Sequence, residues 1–382
     1  MLRRAAQFIG DIVRQADLVL LGLCCAASVY GLVMIASATN YLDTRRYVIV
    51  QGVAILIGII LYFLVSMVDL TELAKKWKWI FPIGLGLILL LITPLGYESN
   101  GNRAWIHIPG IPMNIQPAEI VKLAFILLLA YQLAWLKENR DLKSIPSVLM
   151  LGGHLLIITG VYYVISSDMG STLVYAVIFL CMAFAAGLAA RWFIIGIGGA
   201  GIAFFLLWQE EKLPEYMLNR FRVIFDHSLD PLGAGWQQTR SLLTLGGGGV
   251  TGQGLFHGVQ TQSEFSQSLP FRHTDFIFSA IGEELGLLGC LLAIILLVAI
   301  ILRCFASVSK ARTRLEAYVC VGMAAMLIFQ TVSNIGMCLF VLPVIGLTLP
   351  FFSYGGSSIV TLFVAMGMVS SVRSHTLPEW LK

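Results

Sequence analysis

Runs of about twenty apolar residues recur along this chain, and they constrain its fold more than any other feature. Ten occur, at about 18–38, 47–67, 79–95, 117–136, 147–165, 168–189, 192–208, 275–302, 315–341 and 351–372. Each is near the length that crosses a hydrocarbon core about 30 Å thick at about 1.5 Å per helical residue. That core offers no water to backbone groups, so the runs must be helices. The alternating ten-residue segments of a membrane barrel are absent. Composition agrees: 58% of the 382 residues are hydrophobic and 12% charged, against about 25% charged in soluble domains. The expectation is an all-α polytopic membrane protein of about ten transmembrane helices, a single membrane domain over residues 1–382. The first run is long enough to span and lacks a cleavage pattern.

Lysine and arginine counts set the orientation. The N-terminal tail, four alternate loops and the C-terminal tail hold 16 of them, while the intervening short loops hold only Arg45, Arg46 and Arg103. This places both termini in the cytoplasm. Residues 209–274 become a large extracytoplasmic loop between spans 7 and 8. The net charge of +4 is thus a topogenic bias and gives no reason to expect nucleic acid. The seven cysteines form no CxxC and avoid the large loop, which argues against a disulfide framework or zinc site.

The large loop holds aromatic and leucine residues, among them Trp236, Phe221 and Leu242, so it should pack on the membrane domain. Residues 231–260 include nine glycines, four of them consecutive, Gly246 to Gly249. Glycine permits close approach to a ligand and anion binding by backbone N–H groups; plain flexibility is the competing reading. Asp275 stands where the loop becomes a membrane helix, either as an N-terminal carboxylate favoured by the helix dipole or as a general base beside Arg272 and His273. On a straight helix, Asp275, Glu283 and Glu284 cannot converge on one ligand. Glu119 and Lys122 share a face of span 4. They form either a mutually neutralising pair or the wall of a polar cavity in which Lys122 meets an anion. Asp168 reads as a helix cap. Trp105 reads as an interfacial aromatic, and Tyr354 to Ser358 as a small-residue packing segment.

Taken in order, these segments resemble the SEDS (shape, elongation, division and sporulation) family, on the RodA-like side. The matching stretches are Gly101 to Ile106, Gln116 to Glu119 with Lys122, Asp168 to Gly170, Gly235 to Gln238, Gly252 to Gly254, His273 to Phe278 with Glu283 and Glu284, Asn334, and Leu349 to Ser358. The resemblance implies a peptidoglycan glycosyltransferase that polymerises lipid II at the outer face of the cytoplasmic membrane, for elongation and cell shape. It implies Asp275 as the catalytic residue and a class B penicillin-binding protein as partner. Polyprenyl pyrophosphate substrates need an apolar groove and a cationic mouth. Lys122, Glu119, Arg103, Trp105, Arg220, Arg222, Gln237, His273, Ser353 and Tyr354 are the substrate-binding candidates. No resident cofactor is expected. A divalent cation could assist at the pyrophosphate, though no dedicated ligand cluster is visible. The rival classes are a flippase for the same lipid and a non-catalytic scaffold for a penicillin-binding protein.

Overall fold

The computed structural model describes residues 15–99, 102–110, 113–210, 220, 223, 233–265 and 268–375. Its helices longer than five residues are α1 (Leu18–Ala38), α2 (Arg46–Ser66), α3 (Trp77–Leu89, extended by a 3₁₀ turn to Ile92), α4 (Pro117–Asn139), α5 (Ile145–Ser166), α6 (Met169–Ala186), α7 (Ala190–Gln209), α8 (Ala234–Gly248), α9 (Ile277–Val308), α10 (Arg314–Cys338) and α11 (Gly356–Ser374), among the described residues. Among the described residues, nine helices are long and apolar enough to cross a membrane, and Trp77–Ile92 is a shorter apolar helix. The fold is that of a multi-pass helical membrane protein. The ten apolar runs map onto ten helices, with one shift. The last begins at Gly356, because Leu349 to Gly355 form a turn in which Phe351 adopts a positive φ of 67°.

Local chemistry explains the boundaries. Asp17, Asp168 and Thr313 each accept a backbone N–H at the start of α1, α6 and α10. Pro117 occupies the first turn of α4, where its missing N–H costs nothing. α4, α10 and α11 form the centre of the bundle and are mostly buried, whereas no residue of α7 is buried. α11 packs closely on α2, with Phe363 over Gly58 and Gly367 against the Tyr62 backbone.

The two ends of the bundle differ. At one end Asp17 accepts two bonds of 2.8 Å from Arg303 and a third contact of 3.3 Å from Arg373, joining α1, α9 and α11. At the other end lie a hairpin of β1 (Gly96–Ser99) and β2 (Asn102–Ile106), the helix α8 and the turn before α11. Long-range bonds assemble this second end: Gln116 N–H to Ser357 Oγ, and Asn40 Nδ2 to Gln262 Oε1.

The glycine-rich segment has a structural task there. α9 is broken at Gly286, where φ is 68° and ψ −164°. The break frees carbonyls and amides that a membrane core cannot hydrate. Residues 249–254 complete them. Gln253 and Gly254 donate to the Glu283 and Glu284 carbonyls at 2.9 Å, and Leu287 and Leu288 donate to the Gly249 and Val250 carbonyls at 3.0 and 3.2 Å. Backbone approaches this close leave no room for a Cβ at Gly248, Gly252 or Gly286.

Candidate active site

Asp275 is the last residue but one before α9, half-buried at the assembled end. Its main chain is held by three consecutive carbonyls. Tyr354 N–H donates to His273 O at 2.8 Å, Ser353 Oγ to Thr274 O at 2.6 Å, and Asn334 Nδ2 to Asp275 O at 2.7 Å. Asn334 also donates to Leu347 O at 2.8 Å, so one amide ties the Asp275 turn to the segment before α11. Gln51 of α2 secures the other side, donating to Ser353 O at 3.2 Å and accepting from Gly355 N–H at 3.1 Å. The turn residue Phe271, with φ 46°, accepts from Thr274 and Phe276 N–H. Ser353 and Tyr354 therefore position Asp275 through its backbone, leaving the carboxylate outside this clamp.

The electrostatics favour a base. Burial raises the Asp275 carboxyl to about 6; the positive charge of Arg220 opposes that rise and the negative charge of Asp168 adds to it. An acid of this strength remains mostly ionised at neutral pH yet takes up a proton more readily than an ordinary aspartate. His273 is pushed down to about 4 by burial and by the adjacent Arg272 charge, so it is neutral near pH 7. Its ring lies 4.9 Å from Tyr47 and 5.9 Å from Tyr354, and these two tyrosines lie 5.0 Å apart. The three rings form an aromatic wall beside Asp275.

Glu119 and Lys122 form a buried ion pair of 2.6 Å, with the lysine fully out of solvent. Two hydrogen bonds and a ring contact link their helix to Asp168. Tyr175 donates to Ala118 O at 2.9 Å, its ring stands 6.3 Å from Tyr162, and Tyr162 donates to Asp168 Oδ2 at 2.7 Å. Asp168 also caps α6 through Ser171 N–H at 3.1 Å and faces Gln116 Nε2 at 3.5 Å.

Other sequence candidates have structural duties. Arg103 donates to the Ile92 and Thr93 carbonyls at the end of α3, at 3.3 and 3.0 Å. Trp105 is half-buried in β2 opposite Tyr97. Gln237 is half-buried on α8, while its neighbour Gln238 is fully buried and donates to Met337 O and Leu342 O. Arg222 lies outside the described residues. Glu283 accepts from Gln260 N–H, Thr261 N–H and Thr261 Oγ1 at 2.8, 2.8 and 2.6 Å; Glu284 accepts from Ser37 Oγ and Gln262 Nε2. Both carboxylates thus fasten the loop to the bundle. Arg272 does likewise, donating to Gln260 O and Ser263 O with its guanidinium 3.5 Å from the centre of the Tyr41 ring. Among the described residues, no three His, Cys, Asp or Glu side chains gather as metal ligands would.

Sequence reasoning missed Gln51, Tyr47, Ser37, Tyr41 and Gln262. Gln51 alone carried a signal, being an amide within an apolar run, where polar groups need a partner.

Comparison with known proteins fits this arrangement. Residues 17–377 match the family model covering FtsW, RodA and SpoVE, described as cell cycle proteins. The chain is 34% identical over 327 residues to the peptidoglycan glycosyltransferase MrdB of Escherichia coli K12, covering 84% of this chain and 85% of that one. It is 31% identical over 378 residues to a probable peptidoglycan glycosyltransferase FtsW of Geobacter sulfurreducens, covering 95% and 96%. Among solved structures it resembles a chain of a peptidoglycan synthase complex that coordinates polymerization and crosslinking. There the TM-score is 0.80 and the identity 28%, covering 95% of this chain and 99% of that one. It also resembles the rod shape determining protein RodA of Thermus thermophilus, with TM-score 0.67 and 27% identity, covering 95% and 98%. A match over nearly the whole length, in sequence and in fold, makes this chain a member of the SEDS family of FtsW, RodA and SpoVE cell cycle proteins.

Proposed function

We propose that this protein is a peptidoglycan glycosyltransferase that polymerises lipid II, with Asp275 as general base. The observation that carries the reading is Asp275 itself: a carboxylate raised to about 6, on a backbone fixed at three successive carbonyls. The acceptor sugar hydroxyl attacks the anomeric carbon of the donor. One C–O bond forms, the bond to pyrophosphate breaks, the hydroxyl proton passes to Asp275, and polyprenyl pyrophosphate departs. A positioned base contributes typically about 10²–10⁴-fold. A single displacement of this kind inverts the anomeric centre and needs no covalent carboxylate intermediate.

Charge accumulates on the leaving pyrophosphate, and fixed cations stabilise it. Arg220, in electrostatic reach of Asp275, and Lys122, held by Glu119, are the residues suited to that task; Arg222 is proposed beside them. The Tyr47–His273–Tyr354 wall suits a sugar or isoprenoid face, and Trp105 and Gln237 lie on elements of the same end. This end faces the outside of the cytoplasmic membrane by the charge count, with residues 209–274 extracytoplasmic. A class B penicillin-binding protein that crosslinks the new strands is the partner this activity calls for.

The test uses purified protein, lipid II and gel separation of glycan strands. Wild type makes strands. Asp275 does not cap α9, whose N-cap is Phe276 with no side-chain cap bond. Asp275→Asn, which keeps the side-chain shape and the Asn334 contact to the backbone, therefore makes none while folding and reaching the membrane normally. Strand synthesis by Asp275→Asn near the wild-type rate refutes the assignment.

A further inference from the structure

Two cavities adjoin at the end of α4 remote from Asp275. The larger, about 470 Å³, lies between α3, α4 and α5 and is lined by Trp77, Phe81, Leu128, Trp135 and Met150 among others. Its wall is apolar apart from Gln132 and His154, which face each other at 2.9 Å. The volume falls in the range of about 300–1,000 Å³ typical of small-molecule sites. The second cavity, about 240 Å³, is lined by Lys137, Arg140 and Lys143 together with Asp141, Leu142, Ala186 and Gly187.

Arg140 joins the two. It lines the cationic cavity, while its guanidinium stands 5.6 Å from the Trp135 ring and 3.9 Å from Met150 Sδ, both in the wall of the apolar one. Lys137 uses one of its three donors on Ala186 O at 2.8 Å. Among the described residues, none of the three cations forms an ion pair with a carboxylate. Asp141 accepts instead from Lys143 N–H at 2.9 Å. Three exposed cations and one such acid leave a positive mouth beside an apolar slot.

That combination matches an amphiphile with an anionic head. It is remote from the proposed reaction. Lys122 and Lys137 are fifteen residues apart on α4, about 22 Å at 1.5 Å per residue, so the reacting pyrophosphate cannot reach it. We propose that this face binds an anionic glycerophospholipid of the bilayer, with one acyl chain in the slot between α3, α4 and α5 and the phosphate among Lys137, Arg140 and Lys143. Basic residues at the membrane boundary attract such headgroups, and the adjoining slot selects a lipid over a soluble phosphate.

Native mass spectrometry of the purified full chain, offered equal phosphatidylglycerol and phosphatidylcholine, tests this. Wild type is expected to retain phosphatidylglycerol preferentially. Arg140→Gln with Lys143→Gln lowers that retention roughly tenfold or more. Leu128→Trp, which fills the slot and keeps every cation, lowers it as well. Lys310→Gln with Arg314→Gln, an equal charge change around the start of α10, retains the lipid as wild type does. Equal retention of the two lipids by wild type overturns the proposal without reference to any variant. Undiminished phosphatidylglycerol in either the Arg140→Gln, Lys143→Gln protein or Leu128→Trp overturns it too.

Discussion

The Asn334 side-chain amide donates to the backbone carbonyl of Asp275 at 2.7 Å, so a residue on α10 sets where the carboxylate at the head of α9 begins. The same amide holds Leu347 O at 2.8 Å. Removing it leaves two carbonyls without their donor, and a buried unsatisfied group costs about 1–3 kcal/mol. A small misplacement of a catalytic group can lower a rate by about 10². Asn334→Ala is therefore expected to lower kcat for strand synthesis by roughly 10–100-fold, with KM for lipid II little changed and membrane levels near wild type. Unchanged kcat in a protein of lowered thermal stability would make the contact structural only.

The pH profile follows from Asp275. The group acts as a base only when ionised, and burial has raised it to about 6. Activity should rise with pH through about 6 and fall about tenfold per unit below it. Asp168 adds to the rise with its negative charge, so Asp168→Asn should move the acid limb downwards. Asn can still cap α6. The measurement is kcat/KM for lipid II against pH; an acid limb that stays in place on Asp168→Asn removes Asp168 from the site.

Glu119 and Lys122 are coupled through their buried 2.6 Å contact. Removing one partner of a buried pair typically costs about 3–5 kcal/mol, because the other charge is left uncompensated. Glu119→Gln and Lys122→Met should each lower the unfolding temperature in detergent. The double variant should be more stable than the sum of the singles allows. Additive effects in that cycle would show two independent interfacial charges.

Val259 lies on the exposed surface of the loop. Val259→Cys should react with an impermeant thiol reagent on intact cells, whereas Lys310→Cys should react only after permeabilisation. The expectation rests on the lysine and arginine counts. The opposite pattern would invert the membrane orientation.

The spans were legible because apolar runs of membrane length have few other uses in a folded chain. Asp168 as a helix cap, and Glu119 with Lys122 as one pair, followed from short-range spacing. What stayed hidden was long-range. Nothing near Gln51 in sequence shows that its amide holds Ser353 and Gly355. Nothing near Glu283 or Glu284 shows that each is consumed by the segment 260–262 or by Ser37. Nothing near Arg103 in sequence shows that it donates to the Ile92 and Thr93 carbonyls, which depends on how the hairpin folds back over α3. Ionisable groups near a membrane surface signal that a partner exists, not which partner it is.

The break at Gly286 means that α9 is incomplete on its own. Four of the main-chain bonds around it run to residues 249–254, which precede the helix in the chain. The span cannot complete its main-chain hydrogen bonding until that segment has returned to it. Loop and half-helix are thereby joined through main-chain bonds on both sides of the break. A displacement of residues 249–254 by an associated protein pulls directly on the ten residues Ile277 to Gly286, and so on Asp275 at their head.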